Sequence, residues 1–371
     1  MDTNFTIVGA GVIGLALAAE LSKSNDAIFV LEKNLKPGQE TSSRNSEVIH
    51  SGIYYPHNSL KAKLCVEGKN LLYDYCDVNH IDYNKCGKLI VSNTTREEVL
   101  LEDILRRAAT NGVPDGRIIG KEEISILEPH ILAQKALYFP TTGIIDSHGL
   151  IKQLEADAAN RGVEMVYGSE VNAIEQIDGG YQVTVSEQAG PGFSFSTKYL
   201  INCAGLHAEE VARIAGINKK EYSTYYWKGE YFNLANGKHK LISRLVYPVP
   251  DKNTEGLGIH TTVDLSGRIK LGPNALYIED KSLDYSLDKS HAKEFHLSAL
   301  KYLPFIEEND LVPDQVGIRP KLQKPGDDIR DFEIREESDF GFPGFINLIG
   351  IESPGLTACI SIAKYVVALI K

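Results

Sequence analysis

A chain of 371 residues is long for one hydrophobic core, so about two domains are expected. Hydrophobic residues make up 43% and charged residues 24%, an ordinary globular composition, while 39 basic against 50 acidic residues give a net charge of −11 and argue against nucleic acid as the main partner. No apolar run reaches about 18 residues, so no membrane span is expected, and no basic n-region precedes the first motif. Five cysteines (Cys65, Cys76, Cys86, Cys203 and Cys359) are scattered without a C-x-x-C pair, which points to reduced thiols in a cytoplasmic protein and away from a zinc site.

The chain opens on Phe5-Thr6-Ile7-Val8 running into Gly9-Ala10-Gly11-Val12-Ile13-Gly14 and then an apolar-periodic segment. This is strand, G-x-G-x-x-G turn and helix. Gly9 permits the turn, Gly11 lets a pyrophosphate approach the backbone, and Gly14 lets helix and strand pack closely. The helix N-terminus suits an anion. A second short strand, residues 27–31, ends at Glu32, placed 18 positions past Gly14 to take the hydroxyls of an adenosine ribose.

A polar loop follows: Thr41, Ser42, Ser43, Arg44, Asn45 and Ser46, then the apolar pair Val48-Ile49, then His50-Ser51-Gly52. Its position after Glu32 suggests that it passes along a cofactor and not out into water. Residues 60–75 read as a helix, 88–91 as a strand and 97–111 as an amphipathic helix. A helix to about Arg161 and strands at 163–166 and 180–185 come next. Residues 199–205 (YLINCAG) make a third strand-to-glycine element that feeds a helix over 207–215. Alternation over 225–234, 245–249, 257–263 and 268–271 predicts a β-rich section interrupted by one helix over 289–302. A last strand, 345–349, leads through Gly350 to a closing helix. That helix reads as buried along Cys359, Ala363, Val366, Val367 and Ile370, with peripheral membrane contact as the lesser alternative.

Nucleotide-type elements thus occur at the start, in the middle and at the end, with β-rich material between them. The expected fold is α/β, a dinucleotide-binding Rossmann-like parallel sheet interleaved with a β-rich substrate domain. The cofactor domain would be discontinuous (1–85, 142–218 and 322–371), and 86–141 with 219–321 would form the substrate domain.

The fingerprint does not choose between NAD and FAD, but the chain's end favours flavin. Gly350-Ile351-Glu352-Ser353-Pro354-Gly355-Leu356-Thr357 lies between strand and helix, with Ser353 placed to cap and Pro354 at the first helical position. A second helix N-terminus aimed at the cofactor would stabilise the negative charge of a reduced flavin.

These stretches resemble the glycine-oxidase and D-amino-acid-oxidase superfamily of FAD enzymes. More narrowly, the chain resembles the L-2-hydroxyglutarate dehydrogenases (also called oxidases). The resemblance rests on SSRNSEVIHSGIYY (42–55), KGEYF (228–232), LVYPVP (245–250), LGPNA (271–275), GIRPKL (317–322) and NLIGIESPGLT (347–357). It implies oxidation of L-2-hydroxyglutarate to 2-oxoglutarate by hydride transfer to N5 of FAD; that no cysteine tethers the flavin is assumed, not implied by it. Electrons would pass to a quinone or another acceptor. It assigns the flavin half to 41–52 and 350–357. Lys33, Val171, Cys203, Ala204 and Gly205 complete the expected cofactor contacts.

Oxidising a 2-hydroxy diacid needs a base for the hydroxyl proton and cations for two carboxylates. His260 is the first candidate base, facing the site if strand alternation holds, and His50 the second, with a hydrogen bond to flavin as its other role. Arg319, held extended by Pro320, is the expected carboxylate ligand, with Lys321 on the same side. Tyr55, Lys228, Tyr247 and Asn274 are further candidates for the substrate. Competing readings are an oxidase of an amino acid, amine or glycerol 3-phosphate, an NAD-dependent dehydrogenase, and a flavin-binding sensor without turnover.

Overall fold

The computed structural model describes residues 1–188, 190–250 and 258–370, whose strands form sheets of eight, nine and three. In the first sheet, five strands run parallel in the order Phe342–Ile349, Phe193–Asn202, Thr3–Val8, Ile28–Glu32 and Glu164–Tyr167. The predicted opening strand is therefore central. Ile7, Val30, Leu200, Ile201 and Ile346 are buried, as a sheet covered on both faces requires. Glu333–Glu337 pairs antiparallel at one edge, and the hairpin of Ser169–Ile177 with Gly180–Glu187 continues the sheet from the early half of Phe193–Asn202.

The helix Val12–Leu21 is apolar on nearly every side because it is packed on every side: against the sheet, the helix Ser147–Ala159 and the closing helix Gly355–Leu369. Gly14 permits this, since a Cβ there would lie 2.0 Å from the carbonyl oxygen of Gly9. Leu60–Asn79 also packs on the closing helix. There Gly68 plays the same part, because its Cβ would meet the carbonyl of Thr357 at 2.6 Å. The closing helix is buried through Ala358, Cys359, Ile362, Ala363 and Val366, with Lys364 exposed. Among the described residues, no helix is long and apolar enough to cross a membrane.

The second sheet draws strands from two separate stretches of chain. Lys88–Ser92, Arg117–Gly120 and Lys135–Phe139 come from the first, and Tyr225–Leu234 through Leu311–Lys321 from the second. They are joined by one parallel pairing, Lys88 opposite Leu245 through Val91 opposite Pro248. A small third sheet pairs Val48–Ile49, Gly143–Ile145 and Tyr83–Asn84.

Some elements differ from expectation. The strand expected over 257–263 is only Thr261–Val263, and Leu257 lies outside the described residues. The helix expected over 289–302 is a 3-10 turn, Lys289–His291, followed by Ala292–Ala299. Leu311–Lys321 is a long strand whose full extent periodicity did not reveal, because its burial pattern is irregular around Pro313 and Gly317.

Candidate active site

The carboxyl ends of the parallel strands open onto one cavity of about 1730 Å³, larger than the roughly 300–1,000 Å³ of an ordinary small-ligand pocket. It begins at the glycine turn. Gly9 has φ +106°, and a Cβ on it would lie 2.5 Å from the carbonyl oxygen of Cys203. Gly11, Val12 and Ile13 line the cavity, so the N-terminus of the first helix faces it. Ser42 Oγ accepts from the Val12 N–H at 3.0 Å, tying the polar loop to that helix. Glu32 closes the turn: one carboxylate oxygen accepts from Ala10 N–H at 2.9 Å and the other from Asn34 N–H at 2.8 Å. Glu32 lines the cavity together with Lys33, Val171, Ala204 and Gly205. Lys33 sits 2.7 Å from Glu40. Burial pushes Glu40 up, but His207 and Lys33 outweigh it and hold it at about 2. An anion-facing helix end, an acidic ribose position and a trough of this length fit an extended dinucleotide.

The loop and the closing turn carry the cavity onward. Arg44, Asn45, Ser46 and His50 line it, as do Glu352, Ser353, Pro354, Gly355 and Leu356. The guanidinium of Arg44 lies 4.3 Å from the ring centre of Tyr285. Other predicted cofactor residues support the wall from behind. Ser43 bonds back to Glu40, Ser51 pairs with Thr142, and Thr357 Oγ1 accepts from the His50 N–H at 2.9 Å and donates to Val48. Gly14, Gly52 and Gly350 likewise lie outside the lining. Ser353 does not cap the closing helix, which is preceded by Pro354 at the cap position without a side-chain bond. Ser353 Oγ lies instead 3.3 Å from His50 Nε2. The proline, one residue further out than expected, places the serine beyond reach of the first-turn amides.

Three cations gather toward the other end. Lys61, Arg319 and Lys321 line the cavity with the acid Glu352, which Lys61 holds at 2.8 Å in a buried ion pair. Burial pushes the Glu352 carboxyl up, but Lys61, Lys321 and Arg319 together keep it below its usual range. Sequence reasoning missed Lys61, because a lysine in a helix's first turn ordinarily reads as solvated. Arg319 donates from Nη2 to the carbonyl of Asn274 at 2.8 Å.

The two candidate histidines both line this end. His260 Nδ1 lies 2.8 Å from the carbonyl of Gly258, an acceptor only, so Nδ1 carries the proton and Nε2 is left as the ring's acceptor. Its imidazole stacks on Tyr247, whose other neighbour is the buried Lys88, Nζ 3.4 Å from the ring centre. Burial depresses His260 to about 3, with Lys88, His50 and Arg319 adding to the effect. Burial and then Lys88 depress His50 to about 3. Both rings are neutral near pH 7. Strand alternation is not what aims His260. The strand starts at Thr261, and Ile259 and His260 both line the cavity from irregular backbone.

Two predicted substrate contacts are engaged with other partners. Gly229 and Tyr231 face the cavity, so by the period of the strand Lys228 faces away, and it pairs with Asp284 at 3.0 Å. Asn274 lines the cavity, but its side-chain amide is spent on Glu230: Oδ1 accepts from the Glu230 N–H at 2.8 Å and Nδ2 donates to Glu230 Oε2 at 2.9 Å. Tyr55 and Tyr247 do line it.

A dinucleotide trough of this kind suits a flavin- or nicotinamide-dependent oxidoreductase. The choice between them is made by comparison: residues 4–369 match the family model DAO, FAD dependent oxidoreductase, and the chain belongs to that family. It is an FAD-dependent oxidoreductase, and FAD is its cofactor. The chain is similar to the mitochondrial L-2-hydroxyglutarate dehydrogenase of Arabidopsis thaliana, 36% identical over 97% of this chain and 82% of the relative. The corresponding Caenorhabditis elegans protein is 33% identical over 98% of this chain and 92% of the relative. Among solved structures, the FAD-bound L-alpha-glycerophosphate oxidase of Mycoplasma pneumoniae superposes with a TM-score of 0.89 at 30% identity, covering 100% of this chain and 95% of that one.

Proposed function

We propose that this enzyme oxidises L-2-hydroxyglutarate to 2-oxoglutarate, with electrons passing on to a quinone or another acceptor. The observation that carries the reading is the cluster of Lys61, Arg319 and Lys321 beside two neutral imidazoles at the flavin end of the cavity. Two relatives that the chain matches nearly end to end bear the name of that dehydrogenase.

Bound FAD supplies the acceptor for the hydride that leaves Cα. The chain's own residues do the rest. Arg319 holds the 1-carboxylate through its planar fork, and Lys321 and Lys61 balance the second carboxylate. His260 takes the hydroxyl proton at Nε2, the atom left open by the Nδ1 bond to Gly258. His50 is oriented through Ser353. The first sheet serves to hold FAD and the second to cap it, giving interleaved cofactor (1–85, 142–218, 322–371) and substrate (86–141, 219–321) domains.

A second reading has a specific support: the glycerophosphate oxidase shares the fold over the whole chain at 30% identity, and a cation cluster accepts phosphate as well as carboxylate. Flavin bleaching and dye-coupled turnover with L-2-hydroxyglutarate, glycerol 3-phosphate, glycine and sarcosine separate the readings. Reduction by the hydroxy acid is expected; reduction by glycerol 3-phosphate alone overturns the first reading in favour of the second.

A further inference from the structure

Glu230 is an acid buried in the middle of the strand Tyr225–Leu234, at 1% exposure, and it does not line the cavity. A buried carboxylate is costly unless its oxygens are well bonded. This one is. Oε2 accepts from Asn274 Nδ2 at 2.9 Å and lies 2.5 Å from His291 Nδ1, while Oε1 accepts from the Asp288 N–H at 3.1 Å. With the bond from the Glu230 N–H to Asn274 Oδ1, both ends of the Asn274 amide are fixed. That leaves the Asn274 carbonyl aimed at Arg319, whose Nη2 donates to it at 2.8 Å. Gly229 keeps the passage open, for a Cβ there would lie 3.2 Å from Arg319 Nη2 and 3.4 Å from the Asn274 oxygen.

Three stretches far apart in sequence, KGEYF, LGPNA and GIRPKL, thus meet in one chain of bonds: His291, Glu230, Asn274, Arg319. We propose that Glu230 is a positioning residue for substrate binding. It locks Asn274, Asn274 holds one arm of the Arg319 guanidinium, and the other donors are thereby presented to a substrate anion. The proposal rests on the reading of Arg319 as the anion ligand. A packing role alone does not account for a carboxylate here, because an apolar side chain would serve a sheet face at less cost.

The test is a double-mutant cycle on the FAD-loaded enzyme. Anaerobic flavin reduction is followed against substrate concentration, so that the apparent Kd and the limiting rate are read separately. The substrate is whichever of L-2-hydroxyglutarate and glycerol 3-phosphate reduces the wild type. Glu230→Gln is expected to raise the apparent Kd about tenfold with the limiting rate changed less than about twofold. In an Arg319→Met background it is expected to add almost nothing. An unchanged Kd, or an equal loss in both backgrounds, overturns the positioning role. Arg319→Met with unaltered Kd overturns the reading of Arg319 and the proposal with it. A wild type reduced by neither substrate overturns the function instead. Should Glu230→Gln fail to fold, His291→Gln removes only the outermost bond and is expected to raise Kd about threefold; no change there also overturns the proposal.

Discussion

The imidazole of His260 lies flat on the ring of Tyr247, their centres 3.7 Å apart and 18° from parallel, and Lys88 presses on the same tyrosine. Lys88 is buried at 2% exposure, and its ammonium makes no hydrogen bond or ion pair among the described residues. Burial holds its ammonium well below the ordinary range. Lys88→Met keeps the length and removes a desolvated cation, so the melting temperature is expected to rise by about 2–4 °C. A positive neighbour disfavours imidazolium, so its removal raises the His260 pKa. The acid limb of the flavin-reduction rate should therefore move to higher pH. A limb that stays in place shows that the lysine does not act on the imidazole.

Replacing the base should slow chemistry far more than binding. His260→Gln is expected to lower the limiting rate of anaerobic flavin reduction by about 10²–10⁴ with little change in substrate Kd. His50→Gln should cost about tenfold or less, since its Nε2 is engaged near Ser353. The reverse order of effects would make His50 the base.

Acid should destabilise the protein before its carboxylates titrate. His50 and His260 are held at about 3 in the folded chain against 6.5 when free. Between those values the unfolded chain binds two protons that the native state refuses, so stability present above pH 6.5 falls as pH falls. Down to about pH 4.5 the histidines dominate, because depressed acids such as Glu40 and Glu352 lose their contribution only below that. Urea unfolding at pH 7 and pH 5 is expected to differ by about 2–4 kcal/mol from this source. The His50→Gln/His260→Gln double variant should flatten the difference. The raised His291 acts with the opposite sign: its stabilisation is complete below pH 6.5 and is lost as pH rises through its elevated pKa.

The ion pair of Lys61 and Glu352 is buried on both sides. Lys61→Met strands a buried carboxylate, at a cost of about 3 kcal/mol or more, whereas Lys61→Met/Glu352→Leu should recover most of that loss. Chemical denaturation of the three forms checks this. Equal stabilities for the single and double variants would show the acid to be solvated.

Lys228 offers a control on the strand's two faces. Its partner Asp284 is largely exposed, and neither lines the main cavity. Lys228→Ala is expected to leave substrate Kd unchanged and to alter stability by less than about 1 kcal/mol. A marked loss of affinity would mean that the strand presents its other face to substrate.

The residues that follow local rules were readable directly. The glycine turn with Glu32 declares itself by spacing, and the strand Tyr225–Leu234 by alternation. Its alternation also held the information that Lys228 and Gly229 face opposite ways, so Lys228 could have been set aside from the pattern alone. Lys61, Lys88 and the engagement of Asn274 with Glu230 were not readable. Each depends on a partner contributed by a distant stretch, and a lysine or an asparagine looks the same in sequence whether water or a buried group receives it. The position of Ser353 fell between these cases: the serine and proline of a cap are present, but the proline itself takes the cap position.

The seam that joins the two halves of the second sheet pairs Lys88 with Leu245 and Ile90 with Tyr247. It therefore delivers the lysine and the tyrosine that back His260 from opposite sides of a long intervening stretch of chain. Local folding of either stretch cannot assemble this wall, because parallel pairing between distant segments must close a long loop first. A ribosome emits the first of these strands long before the second, so the wall behind His260 cannot form until both have been made.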